Sequence, residues 1–573
     1  MRLLLGLLAA LIATTTLPSA ASATGNPVRE TAWVETGTDH DHDGKPDRVA
    51  ADVVRPATGG RVPVILDVSP YYACCGRGNE SQKKTYAPDG TPEQFPLFYD
   101  NYFVPRGYAV VLADVGGTNR SSGCFDDVAN GNAVVNWLNG RAKAFDAPEG
   151  GRPVQADWAT GDVGAIGKSQ DGATAIGMAA SGLPGLKTIV PIEGVADNYA
   201  QLIANGAPLA TPEHTGSAFT YNDRAAELCK PFEADLKARM GTNGDYNAYW
   251  RSVNYMPRPV RASVLIAQGF GDGAVAPNQF AAYWDALGRA GVPRKAWLSQ
   301  AGHVDPFDLQ RARWVETLGR WFDRWLKGVR NGVEHEPAVH LETAPDRWTD
   351  VRSWPPATTP VTVRASADGG LGPRGSGTAT VVDDPAVGRE DWAAGVSAAR
   401  FTGAPSTSAV RIAGSPSVTI TASADQTAAR IGVALVDYGP AEVRTTANYG
   451  SGIKNLTTTS CWGVSFPGDS ACFLDTATDL VGADHQIVAY GSADLGHHAS
   501  LRHGEPLVPG RAYTMTFTLT ALDHVVPAGH RLGLLLGGTD GLLFDPDLPA
   551  PGATLTFDLA RTSLTLGLTK PEH

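Results

Sequence analysis

The sequence contains no stretch of apolar residues long enough to span a bilayer, no excess of basic residues and only six cysteines. Its 47 Lys and Arg are outnumbered by 59 Asp and Glu, which gives a net charge of −12. A nucleic-acid partner needs a clustered basic face, so this charge balance argues against that class of function. With 18% charged and 43% hydrophobic residues, the chain is expected to fold into globular domains.

The first residues are typical of a secretory signal. Arg2 supplies the positive charge, and residues 3–17 form an apolar stretch shorter than the ~20 residues that a membrane span needs. Ala21-Ser22-Ala23 is a small-residue cleavage site. We therefore expect residues 1–23 to be removed as a signal peptide and the mature protein to be secreted and extracellular, without a membrane span.

Cysteines in an oxidising compartment form lasting disulfides. Cys461 and Cys472 flank a short Gly/Pro/Ser-containing loop and are predicted to pair. The adjacent Cys74 and Cys75 are not expected to bond to each other, so two further bonds are open among Cys74, Cys75, Cys124 and Cys229. The absence of any C-x-x-C spacing speaks against a metal–thiolate site.

The length and patterning predict two domains. At 573 residues the chain exceeds the ~250–300 at which a single core stops growing. Short apolar strands separated by helices indicate a mostly parallel sheet with helices on both faces over residues 24–340. A polar, helical stretch at about 197–259 is predicted to be an insertion covering the active-site edge. Residues 341–573 carry many short strand patterns between Gly/Pro turns, which indicate a β-sandwich, in the form of a jelly roll.

An acid-rich segment, Asp39 to Asp47, lies between the first two predicted strands. Its alternating acids and Gly44 resemble a calcium loop, but the twelfth position, where a bidentate glutamate belongs, is Ala50. An Asp-Gly hairpin turn explains the same residues and is favoured.

The stretch Gly167-Lys168-Ser169-Gln170-Asp171-Gly172 follows an apolar strand and precedes a helix of small residues. A serine between glycines on a strand-to-helix turn is the arrangement of a nucleophile elbow. The usual spacing is G-x-S-x-G, and here the second glycine lies one residue later. Because a glycine-flanked serine alone is more often an ordinary turn, the assignment depends on its partners.

A serine nucleophile needs a base that takes its proton and an acid that orients the base. Downstream of Ser169, Asp272 follows one predicted strand on a glycine-rich loop, and His303 follows the next. This is the chain order of the α/β-hydrolases, and the carboxyl ends of parallel strands share one edge of the sheet. We predict a triad of Ser169, Asp272 and His303, with His214 in the insertion as the rival base.

The developing oxyanion needs hydrogen-bond donors. One predicted donor is the backbone N–H of Gln170, directly after the nucleophile. The other is expected from the loop after an early strand, which carries Tyr71 and Tyr72.

These features resemble the X-prolyl dipeptidyl aminopeptidases, which are related to bacterial cocaine esterase and the α-amino-acid ester hydrolases. The resemblance covers most of the mature chain, and the widened elbow spacing is typical of that family. It implies an α/β-hydrolase core with a helical cap and a jelly-roll domain, and it implies neither a cofactor nor a metal ion. The family's Pro-Tyr motif maps onto Tyr71, whose hydroxyl would complete the oxyanion hole, with Tyr72 as the alternative.

The resemblance implies release of Xaa-Pro dipeptides from peptides with a free N-terminus and proline at the second position. Such an enzyme must bind an α-ammonium group, and Glu193, just after a predicted strand, is the candidate carboxylate. Its alternative role is that of an acid at a helix N-terminus. Asp171, which could orient the elbow or the pocket, and Tyr72 complete the candidate substrate-binding residues. No signal for an oligomeric state is present.

Departures from the family pattern leave a second function open. Gln170 stands where a tyrosine often follows the nucleophile, and Gly271 and Gly273 flank Asp272, as in some esterase-like relatives. An ester or acyl-amide hydrolase would use the same triad. A third hypothesis, a carbohydrate-binding sandwich beside an inactive core, is disfavoured by the intact triad.

Overall fold

The computed structural model describes residues 25–57, 59–73, 83–209, 220–256, 258–387, 389–445, 451–539 and 552–571. In chain order, its first part comprises β1 (Val28–Glu35), β2 (Arg48–Arg55), β3 (Val62–Ser69), α1 (Tyr99–Phe103), β4 (Ala109–Asp114), α2 (Asp127–Leu138), β5 (Ala144–Phe145), β6 (Ala159–Lys168), α3 (Gln170–Ala180), β7 (Leu186–Ile192), α4 (Asn198–Leu202), β8 (Ile203–Ala204), β9 (Ala207–Pro208), α5 (Asp223–Leu228), α6 (Lys230–Met240), α7 (Ala248–Ser252), β10 (Ser263–Gly269), α8 (Asn278–Arg289), β11 (Arg294–Ser299), α9 (Arg311–Leu326), β12 (Val339–Ala344) and β13 (Arg347–Val351).

Eleven of these strands form one sheet within the described residues, in the order β13-β12-β11-β10-β7-β6-β3-β4-β2-β1-β5. The seven strands from β12 to β4 run parallel. β13 at one edge and β2, β1 and β5 at the other are antiparallel. The predicted mostly parallel sheet is confirmed. Its parallel strands all present their carboxyl ends at one edge, where the loops with the predicted triad lie.

Helices cover both faces of this sheet. Successive side chains of a strand point to opposite faces. Val64 and Leu66 of β3 therefore belong to the core that includes α2, α3 and α8, while Ile65 belongs to the core under α9. The aromatic stripe of α9 packs into that second core, where Trp314 and Trp321 are buried. Full burial of an apolar side chain stabilises the fold by about 1.5–3 kcal/mol. The many buried side chains of the two cores therefore keep the strand ends in fixed positions.

The predicted helical insertion is present between β7 and β10, where α4, α5, α6 and α7 lie. It also contains a short hairpin, β8–β9, which the sequence analysis missed. Asn205 and Gly206 form its turn with φ values of 48° and 87°. An Asn-Gly pair is the common signal for a two-residue hairpin turn, so the information was in the sequence. His214 lies outside the described residues.

The second part of the chain is built almost entirely of strands. It comprises β14 (Thr359–Ala365), β15 (Leu371–Gly372), β16 (Thr378–Val382), α10 (Arg389–Ala393), β17 (Ala398–Thr402), β18 (Val410–Gly414), β19 (Ser417–Ala424), β20 (Arg430–Arg444), β21 (Ile453–Cys461), β22 (Cys472–Thr478), β23 (Leu480–Asp494), β24 (Tyr513–Thr518), β25 (Leu522–Val526), β26 (Arg531–Gly537), β27 (Thr554–Asp558) and β28 (Ser563–Thr569).

Two antiparallel sheets pack face to face in this part. Among the described residues one has nine strands and contains β19, and the other has four and contains β20 and β26. Ile420, Leu435 and Leu534, from these three strands, belong to one buried core. The predicted all-β sandwich is confirmed.

The large sheet continues past residue 340, the expected end of the first domain. That position falls inside β12, which pairs in parallel with β11, and β13 extends the sheet further. Most of β12 and all of β13 thus follow residue 340 and still belong to the large sheet. We propose that the boundary lies between Val351 and Thr359.

The sandwich contacts the edge of the large sheet where the candidate site lies. The Gln300 side chain donates to the carbonyl oxygen of Asp523 at 2.9 Å, and the Tyr490 hydroxyl donates to that of Asp272 at 3.5 Å. Arg29 of β1 forms an ion pair of 2.6 Å with Asp469 of the sandwich. The first two contacts link the second part of the chain to the loops that follow β11 and β10, and the third links it to β1.

Disulfides join Cys461 to Cys472, as predicted, and Cys124 to Cys229, one of the pairings left open. Cys74 and Cys75 lie outside the described residues. In the part of the chain that the structure covers, no helix combines the length and the apolar character that crossing a membrane requires.

The acid-rich segment connects β1 and β2 as a hairpin loop. Asp39 accepts the backbone N–H groups of Asp43 and Gly44 at 3.2 and 3.0 Å. Arg224 forms an ion pair with Asp41, and Lys45 forms one with Asp43. The segment thus forms a long hairpin loop, and neighbouring donors engage its carboxylates.

Candidate active site

Ser169 lies at the sharp turn between β6 and α3. Its φ and ψ angles are 61° and −121°, a backbone conformation that costs a residue with a side chain about 1–3 kcal/mol. The Ser169 carbonyl accepts the Ala173 N–H at 2.9 Å, so the helix starts immediately after the serine. This geometry lifts the side chain out of the sheet edge, as a nucleophile elbow requires.

The two glycines of the elbow explain its unusual spacing. A Cβ on Gly167 would lie 2.4 Å from the Asp171 Cβ, and one on Gly172 would lie 2.9 Å from the Ile192 carbonyl oxygen. Helix α3 therefore packs against the end of β7 at position 172, one residue later than in the usual motif. The spacing follows from this contact and does not weaken the elbow.

Asp272 and His303 meet on the loops after β10 and β11. Oδ2 of Asp272 lies 2.9 Å from Nδ1 of His303. The other carboxylate oxygen accepts the backbone N–H groups of Ala274 and Val275, both at 2.8 Å. The Asp272 side chain is fully buried. It therefore fixes the orientation of the imidazole, and Nε2 remains as the atom that can take a proton.

The surroundings of His303 keep its imidazole neutral. Burial lowers the pKa of His303 below its usual value, Asp272 opposes this, and the nearby Lys168 ammonium lowers it further. Lys168 also donates to the His303 carbonyl oxygen at 2.8 Å. A neutral imidazole at neutral pH is what a general base needs.

Both predicted oxyanion donors lie beside the nucleophile. The Tyr71 hydroxyl lies within hydrogen-bonding range of the Ser169 side chain and of the Gln170 backbone N–H. Burial, reinforced by the charge of Asp171, raises the pKa of Tyr71, so the phenol keeps its proton and can donate. The Gln170 N–H is the first of α3, where the helix dipole favours negative charge. The structure thus pairs the predicted triad acid with the predicted base, and it places Tyr71 beside Ser169 and Gln170.

Two of the predicted substrate-binding residues are placed elsewhere. Glu193 is 1% exposed, and its carboxylate lies behind His303, with Oε2 at 3.2 Å from Nδ1. It is therefore not available to a substrate amine. Tyr72 is 2% exposed and packs into the core, where the Lys84 ammonium lies 4.4 Å from its ring centre. Both side chains are buried, so neither is exposed to a substrate.

Asp171 lies within the elbow itself, at the start of α3. It is 1% exposed and packs against Gly167. Its charge contributes to the raised pKa of Tyr71. It supports the oxyanion donor and does not line the pocket.

Sequence reasoning missed Asp127, the first residue of α2. One of its carboxylate oxygens accepts the Gln170 side-chain amide at 2.8 Å and the Thr174 hydroxyl at 2.6 Å. Its charge is felt by Tyr71 and by Tyr255 at the end of the insertion. Within the described ranges no Lys or Arg forms an ion pair with it. The available signal was the adjacent acids Asp126 and Asp127, a pair too common to single out.

A cavity of about 900 Å³ lies near this site but is not the reaction pocket. Gly273, Ala274 and Tyr490 line it, together with residues of the insertion, whereas Ser169 and His303 do not. It lies behind the loop that carries Asp272, between the hydrolase core, the insertion and the sandwich.

An elbow serine, a buried acid–histidine pair and two oxyanion donors on a mostly parallel sheet define the class. The protein is a serine hydrolase with an α/β-hydrolase core.

Comparisons with known proteins identify the family. Residues 43–305 match the X-Pro dipeptidyl-peptidase (S15 family) model, and residues 331–573 match the model of the X-Pro dipeptidyl-peptidase C-terminal non-catalytic domain. A provisionally named Xaa-Pro dipeptidyl-peptidase of Streptomyces avermitilis is 47% identical over 568 residues, which cover 95% of this chain and 84% of the relative. The chain belongs to the S15 family of X-Pro dipeptidyl-peptidases.

Solved structures support the fold over the whole chain. A CocE/NonD family hydrolase from Staphylococcus aureus has a TM-score of 0.66 at 13% identity, covering 98% of this chain and 99% of that one. An α-amino acid ester hydrolase has a TM-score of 0.64 at 17% identity, covering 97% and 99%. At such identities the likeness concerns the fold alone.

Proposed function

We propose that this protein is a serine peptidase that releases Xaa-Pro dipeptides from peptide N-termini through an acyl-enzyme on Ser169. The observation that carries the hydrolytic chemistry is the Tyr71 hydroxyl, which lies within hydrogen-bonding range of both the elbow serine Ser169 and the Gln170 N–H. Membership of the S15 family supports the Xaa-Pro specificity.

The chemistry follows from the positions of the groups. Ser169 Oγ attacks the carbonyl carbon of the proline residue while its proton passes to Nε2 of His303. The oxyanion lies between the Tyr71 hydroxyl and the Gln170 N–H, and each such donor is worth about 10²–10³-fold in rate. His303 then gives the proton to the leaving amine. Water, activated by the same histidine, hydrolyses the acyl-enzyme and releases the dipeptide.

A free N-terminus requires a counter-charge near the acyl pocket. Because Glu193 lies behind His303, Asp127 is the better candidate among the described residues. It is partly exposed, is linked to Gln170 by a hydrogen bond of 2.8 Å and has no cationic partner there. We propose that the substrate α-ammonium binds against its carboxylate.

The test compares three substrates. Purified protein and its Ser169→Ala variant would be assayed with an Xaa-Pro anilide, the N-acetylated form of that anilide and a short-chain aryl ester. We expect rapid cleavage of the free-amine anilide only, and loss of this cleavage in the variant. Turnover of the ester alone would support an ester or acyl-amide hydrolase instead, and no Ser169-dependent turnover at all would refute both.

We also propose that the protein acts outside the cell. The signal-like residues 1–23 and two disulfides support this, because disulfides persist in oxidising compartments. Expression in the source cell type followed by fractionation tests it. Mature protein in the medium, beginning at Thr24, is the expected result, and retention of an uncleaved chain in the cytoplasm would contradict it.

A further inference from the structure

Glu193 occupies a position that the triad mechanism does not explain. It directly follows β7 with a φ of 51°, in the left-handed region that residues with side chains avoid. Its backbone N–H donates to the Ala267 carbonyl at 2.8 Å, which ties it to β10. A Cβ on the next residue, Gly194, would lie 2.6 Å from the backbone of Gly172. The turn is therefore clamped between the elbow and β10, and it holds the Glu193 side chain beneath His303.

The carboxyl group of Glu193 contacts the loop that carries the catalytic base. Its Oε1 accepts the backbone N–H of Val304 at 3.0 Å. Its Oε2 lies 3.2 Å from Nδ1 of His303, the nitrogen that also faces Asp272 at 2.9 Å. One carboxylate oxygen of Glu193, one of Asp272 and a ring nitrogen of His303 all lie within 4.8 Å of one another. A single nitrogen thus faces two buried carboxyl groups.

The two carboxyl groups are not equally equipped to carry a charge. Asp272 accepts hydrogen bonds from two backbone N–H groups and from the Gln268 side chain, as well as facing His303. Glu193 accepts one, from Val304. Two neighbouring carboxylates in a buried site do not both ionise, and the one with fewer donors keeps the proton.

Burial and the charged groups around Glu193 together also favour its protonated form. Burial and the negative charge of Asp272 raise the pKa of Glu193 well above its usual range, and Asp305 adds to this. Lys168 and the hydrogen bond from Val304 oppose the shift without reversing it.

We propose that Glu193 is a positioning residue that stays protonated while the enzyme works, fixing the His303 loop without adding a second negative charge to the triad. Its neutral state matters because a second carboxylate at this distance would stabilise the imidazolium and raise the pKa of His303. The histidine would then be protonated at neutral pH and lose its function as a base. When Glu193 is neutral, the two carboxyl groups together carry one negative charge. This charge balances the one positive charge that His303 gains when it takes the proton of Ser169.

This inference rests on the proposed triad but not on Xaa-Pro specificity, so any substrate that Ser169 turns over can be used. The Glu193→Gln variant keeps the acceptor for Val304 and is neutral by construction. We expect its kcat to fall by no more than about tenfold, and the acidic limb of its kcat/KM profile to stay within about 0.3 pH units of the parent. Glu316→Gln, on the exposed face of α9, is the matched control for loss of a carboxylate.

If Glu193 were ionised, removing its charge would move the acidic limb down by about 1–3 units, which would overturn the proposal. Glu193→Ala removes the acceptor for Val304 and should lower kcat about tenfold to a hundredfold with little change in KM, and an unchanged kcat would also overturn it.

An infrared measurement gives an answer that does not depend on activity or on the folding of the Ala variant. The difference spectrum between the parent and Glu193→Gln at neutral pH should contain the C=O stretch of a protonated carboxylic acid. A carboxylate band in its place would refute a neutral Glu193. Failure of the triad itself is distinguishable, because Ser169→Ala would then retain turnover.

Discussion

Removal of the Tyr71 hydroxyl separates oxyanion stabilisation from every other role of the site. In Tyr71→Phe the aromatic ring remains, and the Gln170 N–H is the only one of the two described donors left. Loss of one oxyanion donor typically lowers kcat by about 10²–10³-fold, or about 2.7–4 kcal/mol of transition-state stabilisation. KM should change little, because the donor acts on charge that develops only in the transition state. The raised pKa of Tyr71 means that the parent keeps this donor throughout a normal assay range.

The assay is steady-state hydrolysis of an Xaa-Pro anilide by the parent, Tyr71→Phe and the matched control Tyr72→Phe. Tyr72→Phe removes the same hydroxyl from the neighbouring residue, whose side chain lies in the core beside Lys84. We expect the control to leave kcat within about threefold of the parent. A decrease in kcat of less than about fivefold for Tyr71→Phe would refute its assignment as an oxyanion donor.

Three further predictions concern specificity, pH and stability. Asp127→Asn should lower kcat/KM for the free-amine anilide by about tenfold to a hundredfold and leave ester hydrolysis little changed. An equal decrease in kcat/KM for both substrates would contradict an ammonium-binding role. Burial holds the pKa of His303 below its usual value of 6.5, so kcat/KM should fall only as the pH drops below about 6.5. A pH profile of kcat/KM checks this, and an acidic limb above pH 7 would be inconsistent with the site. Replacing Cys124 and Cys229 by Ala opens a loop of 105 residues and should lower the free energy of unfolding by about 2–5 kcal/mol. Denaturant titration under oxidising conditions measures this change, and unchanged stability would argue against the disulfide.

Much of the fold and the triad could be predicted because their signals are local. Apolar strands, the glycines of the elbow and the placement of Asp272 and His303 directly after strands are each readable from neighbouring residues alone. The same holds for the disulfide between Cys461 and Cys472, which closes a short loop.

The remaining differences depend on which way a side chain points. Glu193 follows a strand at the edge where ligands bind, but its left-handed φ turns the carboxyl group beneath His303. Tyr71 and Tyr72 are adjacent, and only the structure shows which one faces Ser169. Asp127 is brought to Gln170 by the packing of α2 on α3, a contact between residues 43 positions apart. None of these placements leaves a periodic signal in the sequence.

The most direct test of the central claim is to trap the acyl-enzyme. The parent would be mixed with an Xaa-Pro ester, quenched in acid within its first turnovers, digested with trypsin and examined by tandem mass spectrometry. Cleavage after Lys168 yields a peptide that begins at Ser169 and ends at Lys187. We predict that this peptide gains the mass of one Xaa-Pro acyl group, located on Ser169. An adduct on any other residue, or hydrolysis of the ester with no adduct in the parent and no loss of turnover in Ser169→Ala, would contradict the account.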